Sequence, residues 1–325
     1  MLSRLGGCAA AHLASSPWSN VYGLARTLLA CGTLATLAAS PTETLFRPAA
    51  GIPISPICES VIRFSVFCVL PRPFLGLAQA VAVGVLFVVV TGWRPRVTAL
   101  PHWWISWSVA ASITLPDGGD QVAVVLSLIL LPVALTDPRV WHWSRPSPVA
   151  RSFPGAALAV LALSALVVAR LQVAGIYLHS SLAKVGVEEW RDGTAMYYWL
   201  QQPGFAPTPL LREPLLAIAE TPVGAALMTW GPIVLEVTLG LSILMAARAR
   251  RVLLVLGITF HLAIAAMMGL VSFGFSMAAA LIILLRPRDA TFSVPRWLRP
   301  APAWWRMKRD PAAVTQWGGS SIAQR

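Results

Sequence analysis

The chain has 325 residues, 57% of them hydrophobic and only 12% charged, and its formal net charge is +12. A soluble domain carries about 25% charged residues, so this composition excludes a water-covered globule and calls for lipid over much of the surface. The basic excess does not point to nucleic acid, because no nucleic-acid-binding motif is present and the Lys and Arg residues cluster between apolar runs, as cytoplasmic loops require.

The first apolar run covers residues 21–40, with Arg26 near its start. It is either a retained span or a signal peptide, since Ala38-Ala39-Ser40 has the small side chains of a cleavage site. Arg26, placed where the apolar region should begin, favours the retained span. Residues 41–73 form a Pro-rich connection with a short apolar stretch at 61–70, too short to cross and expected at the interface or against the bundle. Cys58 and Cys68 sit in this connection, either joined as a disulfide outside the cytoplasm or present as two buried thiols. The four Cys and five His residues lack metal-ligand spacing, so no metal site is expected.

Further spans are predicted at 74–91, 99–116 and 121–135. The second carries Trp103, Trp104 and Trp107, which suit a headgroup-level belt. Asp117-Gly118-Gly119-Asp120 joins two spans as a turn, with Asp120 capping the next helix and the glycines supplying the reversal. A long helix is predicted over 154–182 and a span over 221–247. The apolar run 252–285 has 34 residues, about 51 Å if fully helical. A crossing needs about 30 Å, so a break near 269–274 makes it a tight pair.

The predicted fold is all-α, a polytopic transmembrane helical bundle of about eight spans with both termini cytoplasmic. Orientation follows from the basic loops. Arg94 and Arg96, then Arg139, Arg145 and Arg151, then Arg248, Arg250 and Arg251 all fall on the inner side. So does the tail after residue 285, with eight basic and two acidic residues. The 183–220 connection, with five acidic and three basic residues, falls outside. The chain thus divides into a cytoplasmic segment 1–20, a transmembrane domain 21–285 and a basic tail 286–325, interfacial or disordered.

Arg170, Tyr177 and Lys184 are spaced by seven and share one helix face. Arg170 is expected near mid-membrane, where a charge costs about 2.5–3.5 kcal/mol on insertion scales. Glu236, deep in another span, is its expected partner. Lys184, at the outer helix end, either snorkels to the headgroups or faces a dry pocket that favours a neutral amine able to act as a base. His261, in mid-span, is either a helix-bridging hydrogen bonder or an acid–base group sharing that cavity.

Several of these residues together resemble one family. They are Gln172 with Ile176-Tyr177, Ser181-Leu182-Ala183-Lys184, Trp190, Asp192-Gly193, Tyr197-Tyr198, Asp117 to Asp120, Glu236, and Phe260-His261 followed by Met267, Gly269, Phe273 and Met277. In order and spacing they resemble the HTTM family, the membrane domain shared with vitamin-K-dependent gamma-carboxylase, and within it the SdpB-like (sporulation-delaying protein B) branch. In the carboxylase a Lys at the corresponding helix end deprotonates a quinol. The resemblance therefore implies Lys184 and His261 as candidate catalytic residues and a quinone or quinol as candidate cofactor. The Asn that follows the carboxylase His three residues later is Ile264 here, and the carboxylase's soluble substrate-binding domain has no counterpart in this sequence, so glutamate carboxylation is not implied.

The SdpB-like branch implies instead the maturation or export of a secreted antimicrobial peptide from the bacterial cytoplasmic membrane. Its partners would be a peptide precursor and a companion maturation protein. Arg170, Gln172, Tyr177, Trp190, Asp192, Gly193, Tyr197, Glu236, Asp117 and Asp120 are then structural or pocket residues. The alternative is a membrane-embedded quinol-dependent enzyme with a Lys base at the outer face. A transporter is disfavoured, because the chain shows no paired repeats.

Overall fold

The computed structural model describes residues 16–49, 55–146, 149, 152–202, 204, 207–287 and 291. The segment before residue 16 and nearly all of the basic tail lie outside the described residues, as do the expectations made for them.

The described regular structure is helical, apart from isolated bridge residues such as the Trp93–Trp141 pair. Helix α1 (Asn20–Ala39) starts at Ser19, whose hydroxyl accepts from the Tyr22 amide and so satisfies one of the helix's unpaired donors. Helix α2 (Leu75–Thr91) ends at Gly92, at φ +82°. Helices α3 (Pro95–Ser112), α4 (Gly118–Ile129) and α5 (Leu131–Thr136) follow. The second half holds the 33-residue α6 (Phe153–Val185), the short α7 (Glu188–Arg191), α8 (Ala195–Trp199) and α9 (Pro209–Ala219), and then α10 (Pro222–Gly240), α11 (Ala247–Met268) and α12 (Val271–Leu285).

Among the described residues, five helices are long and apolar enough to cross a membrane: Asn20–Ala39, Arg72–Thr91, Phe153–Val185, Pro222–Leu244 and Ala247–Met268. The sequence predicts about eight, and the other three fall on α3, on α4 with α5, and on α12. With 15 residues, α12 is about 22 Å long. It is a core helix: Gly274, Ser276, Met277 and every residue from Ala279 to Leu285 are buried, and it packs on α1. Hydropathy does not separate a helix wrapped in protein from one wrapped in lipid, so the apolar run alone overstates the exposed spans. The break within that run comes at Gly269, at φ +71°.

Contacts at the helix ends show that neighbours alternate in direction. At one end the start of α1 meets the α5–α6 connection, where Arg139 reaches the Ser19 carbonyl. There the Gly92 carbonyl, just past α2, accepts from the His142 amide, and Arg94, before α3, donates its amide to Val140. At the other end Gln79 of α2 donates to the Leu37 and Ser40 carbonyls at the end of α1. Thr114, after α3, donates its amide to Leu45, and Ser272 of α12 donates to Asp117. The 61–70 stretch packs on this second end. Val66 and Phe67 are buried, Phe67 stacks on Phe46, and the Ser112 hydroxyl donates to Ser65. A disulfide joins Cys58 and Cys68 beside it.

At the first end Arg94, Arg96 and Arg145 are exposed, as a wet basic loop requires, but Arg139 is not. Arg139 is buried, paired at 2.7 Å with an equally buried Asp137 and bonded to the carbonyls of His142 and Ser144. His142 is fully buried and meets the Thr27 hydroxyl at 3.2 Å. Arg26 is buried too and donates to Thr98.

Candidate functional site

Helix α6 presents Tyr177, Ser181 and Lys184 along one stripe, and Tyr177 and Ser181 are each 1% exposed. Helices α10 and α11 close on that stripe and bring Glu236 and His261, both buried. The approach of α6 to α10 requires a glycine: a Cβ at Gly240 would stand 2.6 Å from Leu178 Cγ and 3.2 Å from the Ala174 carbonyl oxygen.

Two polar pairs form in this space. Lys184 Nζ lies 2.7 Å from each Glu236 carboxylate oxygen and 2.7 Å from Ser180 Oγ. Its three N–H donors therefore meet three acceptors. The Lys184 and Glu236 side chains are 21% and 8% exposed, so the ion pair is largely desolvated. The Trp190 ring covers the ammonium, with its centroid 5.4 Å from Nζ, in cation–π range. The second pair is Tyr177 Oη and His261 Nε2 at 2.9 Å. His261 Nδ1 makes no hydrogen bond among the described residues.

Chemically, this is an ion pair set against a phenol–imidazole pair inside an apolar bundle. The Tyr177–His261 bond can hold a proton at either Tyr177 Oη or His261 Nε2, and His261 Nδ1 can pair with a polar group on a ligand. Lys184 is fully engaged, so its amine can serve as a base only after leaving Glu236.

The pairing that the sequence predicts between Arg170 and Glu236 does not form. Arg170 and Lys184 stand about four helical turns, or about 21 Å, apart, and Glu236 lies level with Lys184. Arg170 instead donates Nε to the Ile283 carbonyl at 2.9 Å and Nη2 to the Arg286 carbonyl. These carbonyls close α12, where the last turn lacks intrahelical donors and the helix dipole favours a cation. Arg170 thus sits at a helix terminus rather than at an isolated mid-membrane position.

The remaining predicted site residues divide. Trp190 belongs to the cluster, and Gly193, at φ +81°, packs on the ring of Trp230. Gln172 is exposed on a different face of α6, and Asp192 is exposed after α7. Tyr197 is half-buried and stacks edge-on with Tyr198. The cap of α4 is Asp117 rather than Asp120. Asp117 accepts from the Asp120 amide, and Asp120 accepts from the Asp117 amide, a reciprocal capping box. The glycines between them are the first helical residues. A Cβ at Gly119 would stand 2.5 Å from Phe273 Cα, so this glycine lets α12 close on α4. Phe273 in turn lays its ring edge-on against His261, with centroids 5.4 Å apart. The capping box therefore supports the site from behind.

Ser180, Thr229 and Trp230 are site residues that sequence reasoning missed. Ser180 lies four residues before Lys184, the spacing that brings helical side chains together, so its role was legible. Trp230 donates to the Trp190 carbonyl at 3.1 Å, and Thr229 accepts from the Met196 amide at 3.3 Å. Both join segments remote in sequence and leave no local signal.

Two cavities flank the cluster. One, of about 710 Å³, is an apolar groove lined by residues of α10 and α11, including Trp230, Leu235 and Leu256. The other, of about 550 Å³, is lined by Glu189, Trp190, Tyr198, Trp199 and Gln202 among others. Among the described residues no three His, Cys, Asp or Glu gather as metal ligands.

The HTTM domain matches residues 150–288, which include Arg170, Tyr177, Lys184, Trp190, Glu236 and His261. The uncharacterized protein YitO of Bacillus subtilis (strain 168) is 37% identical over 279 residues, covering 85% of this chain and 88% of YitO. The sporulation-delaying protein SdpB of the same organism is 34% identical over 295 residues, covering 88% of this chain and 86% of SdpB. No solved structure matches. Both likenesses run far beyond the matched domain and take in the α1–α5 half that braces the site, so the chain belongs to the HTTM family, in its SdpB-like branch.

Proposed function

We propose that this membrane protein matures or exports a secreted antimicrobial peptide, working with a companion protein in the bacterial cytoplasmic membrane. Eight crossings with both termini cytoplasmic, a transmembrane domain at 21–285 and a basic tail at 286–325 complete the reading. The likeness to a sporulation-delaying protein supports it. The observation that carries it is the Lys184–Glu236 ion pair packed beside the Tyr177–His261 hydrogen bond. Burying an ion pair costs more than packing apolar side chains in its place, so its presence in a lipid-facing bundle marks a working site. Its place near the outer end of α6 suits a substrate emerging on that side.

The test is deletion of the gene followed by mass spectrometry of secreted peptides. Loss or altered mass of one peptide is expected. Restoring the wild-type gene should reverse it, and restoring Glu236→Gln should not. An unchanged secreted peptide profile would reject the maturation role.

A second reading, a quinol-dependent enzyme with Lys184 as base, is supported by the apolar groove whose lining includes Leu235, next to Glu236 in sequence. Arg keeps the charge and the donors but stays protonated. Full function in Lys184→Arg therefore rejects base chemistry at this position.

A further inference from the structure

The 550 Å³ cavity beyond Lys184 is lined by Glu189, Trp190, Tyr198, Trp199 and Gln202. Three aromatic rings and one carboxylate around a cavity form the chemical setting that selects a cation over a neutral group. Trp190 is shared: its ring covers Lys184 while it also lines this cavity. Trp190 therefore partitions the cavity from the buried ion pair.

The neighbouring groove has the opposite character. Its 710 Å³ is walled by Val223, Leu227, Trp230, Val234, Leu235 and Leu256, among others. The hydrogen bond from Trp230 to the Trp190 carbonyl joins the two walls. An apolar trough and an aromatic cavity with a carboxylate in its wall thus meet at one Trp–Trp seam, beside the Lys184–Glu236 pair. The connection that builds the cavity carries five acidic and three basic residues over 183–220, a bias that attracts a basic ligand.

From this juxtaposition we propose that the Glu189–Trp190–Trp199 cavity is a peptide subsite for a Lys or Arg side chain, with the apolar residues next to it in the substrate lying in the α10–α11 groove. This deepens the peptide-maturation reading and rests on it. A lipid ammonium headgroup shares the cation, but it would fill little of a cavity this large and would leave the acidic connection without a role.

The probe is a fluorescent apolar peptide carrying a single Lys, compared with the same peptide carrying norleucine. Binding is measured by anisotropy to the full chain in phosphatidylglycerol nanodiscs, after subtraction of empty nanodiscs. The Lys peptide should bind about tenfold more tightly, the combined effect of cation–π contacts with several rings and a carboxylate nearby. Glu189→Gln, an exposed position outside the helix core, should reduce the gap to about twofold or less with the thermal midpoint unchanged. Equal binding of the two peptides, or binding of neither, overturns the subsite. So does a Lys preference that survives Glu189→Gln, or one that disappears when phosphatidylethanolamine replaces part of the lipid. The maturation reading is judged separately by the secreted-peptide profile of the deletion strain, so equal binding with an altered profile would reject the subsite alone.

Discussion

A carboxylate chooses its partner by position along the helix rather than by charge alone. Glu236 has two cations on the facing helix, about four turns apart, and takes Lys184 because only that ammonium is at its level. Double-mutant cycles should show this. Lys184→Met and Glu236→Ala should be strongly non-additive, because each alone leaves the other charge in a desolvated site. Each single change is expected at the lower end of the about 3–5 kcal/mol seen for broken buried pairs, since Lys184 keeps 21% exposure. Arg170→Met and Glu236→Ala should add within about 0.5 kcal/mol. Thermal unfolding in detergent measures both cycles, and strong coupling between Arg170 and Glu236 would restore the pairing predicted from the sequence. The stripe of α6 was thus legible from its spacing of seven, whereas the choice of partner depends on how far α10 slides past α6, which no local pattern records.

His142, buried in the connection between α5 and α6, gives a residue-scale pH dependence. Burial, with Arg26 and Arg139 nearby, holds the His142 imidazole well below its ordinary value of 6.5. The folded chain therefore resists a proton that the unfolded chain accepts. The contribution is neutral above about pH 6.5, and stability falls as the pH drops below it. His142→Gln, which can still meet Thr27, should flatten the acid limb of a plot of thermal midpoint against pH between about pH 6.5 and 4.5. An unchanged acid limb would show that His142 does not carry it.

At the scale of elements, the two glycines after Asp117 have unequal duties. A Cβ at Gly118 would meet the Phe273 ring at 3.5 Å, an ordinary contact, whereas one at Gly119 would strike the Phe273 backbone at 2.5 Å. Gly118→Ala should therefore be nearly neutral. Gly119→Ala should push α12 from α4, loosen the Phe273–His261 contact and cost about 1–3 kcal/mol, the usual penalty for forcing atoms into a packed core. Thermal midpoints of the two variants decide this, and equal midpoints would remove the close approach as the reason for Gly119. From the sequence, this segment reads as a reversal. Its actual role, a capping box pressed onto another helix, depends on a neighbour more than 150 residues away, Ser272 with Phe273.

For the whole molecule, lipid and protein give an apolar helix the same sequence signature, and the structure separates them. α12 is as apolar as any predicted span yet is enclosed by protein, while α11 turns much of its surface outward and keeps only Leu253, Gly257 and His261 buried. The alternation of helix ends, with Ser19, Gly92 and Val140 at one pole and Leu45, Asp117 and Ser272 at the other, accommodates eight passes even though some are short. α6 gives the sharpest test, because Arg145 precedes it and Arg191 follows it, both exposed. In a background with Cys8 and Cys31 replaced by Ser, a membrane-impermeant maleimide should modify Arg191→Cys in intact cells and Arg145→Cys only after permeabilisation. That result places the Lys184 end of α6, the Trp190 seam and both cavities on the side where a secreted peptide emerges. Modification of both positions from outside would mean that α6 does not cross, and the reversed pattern would turn the site toward the cytoplasm, where it would meet the precursor before export rather than after.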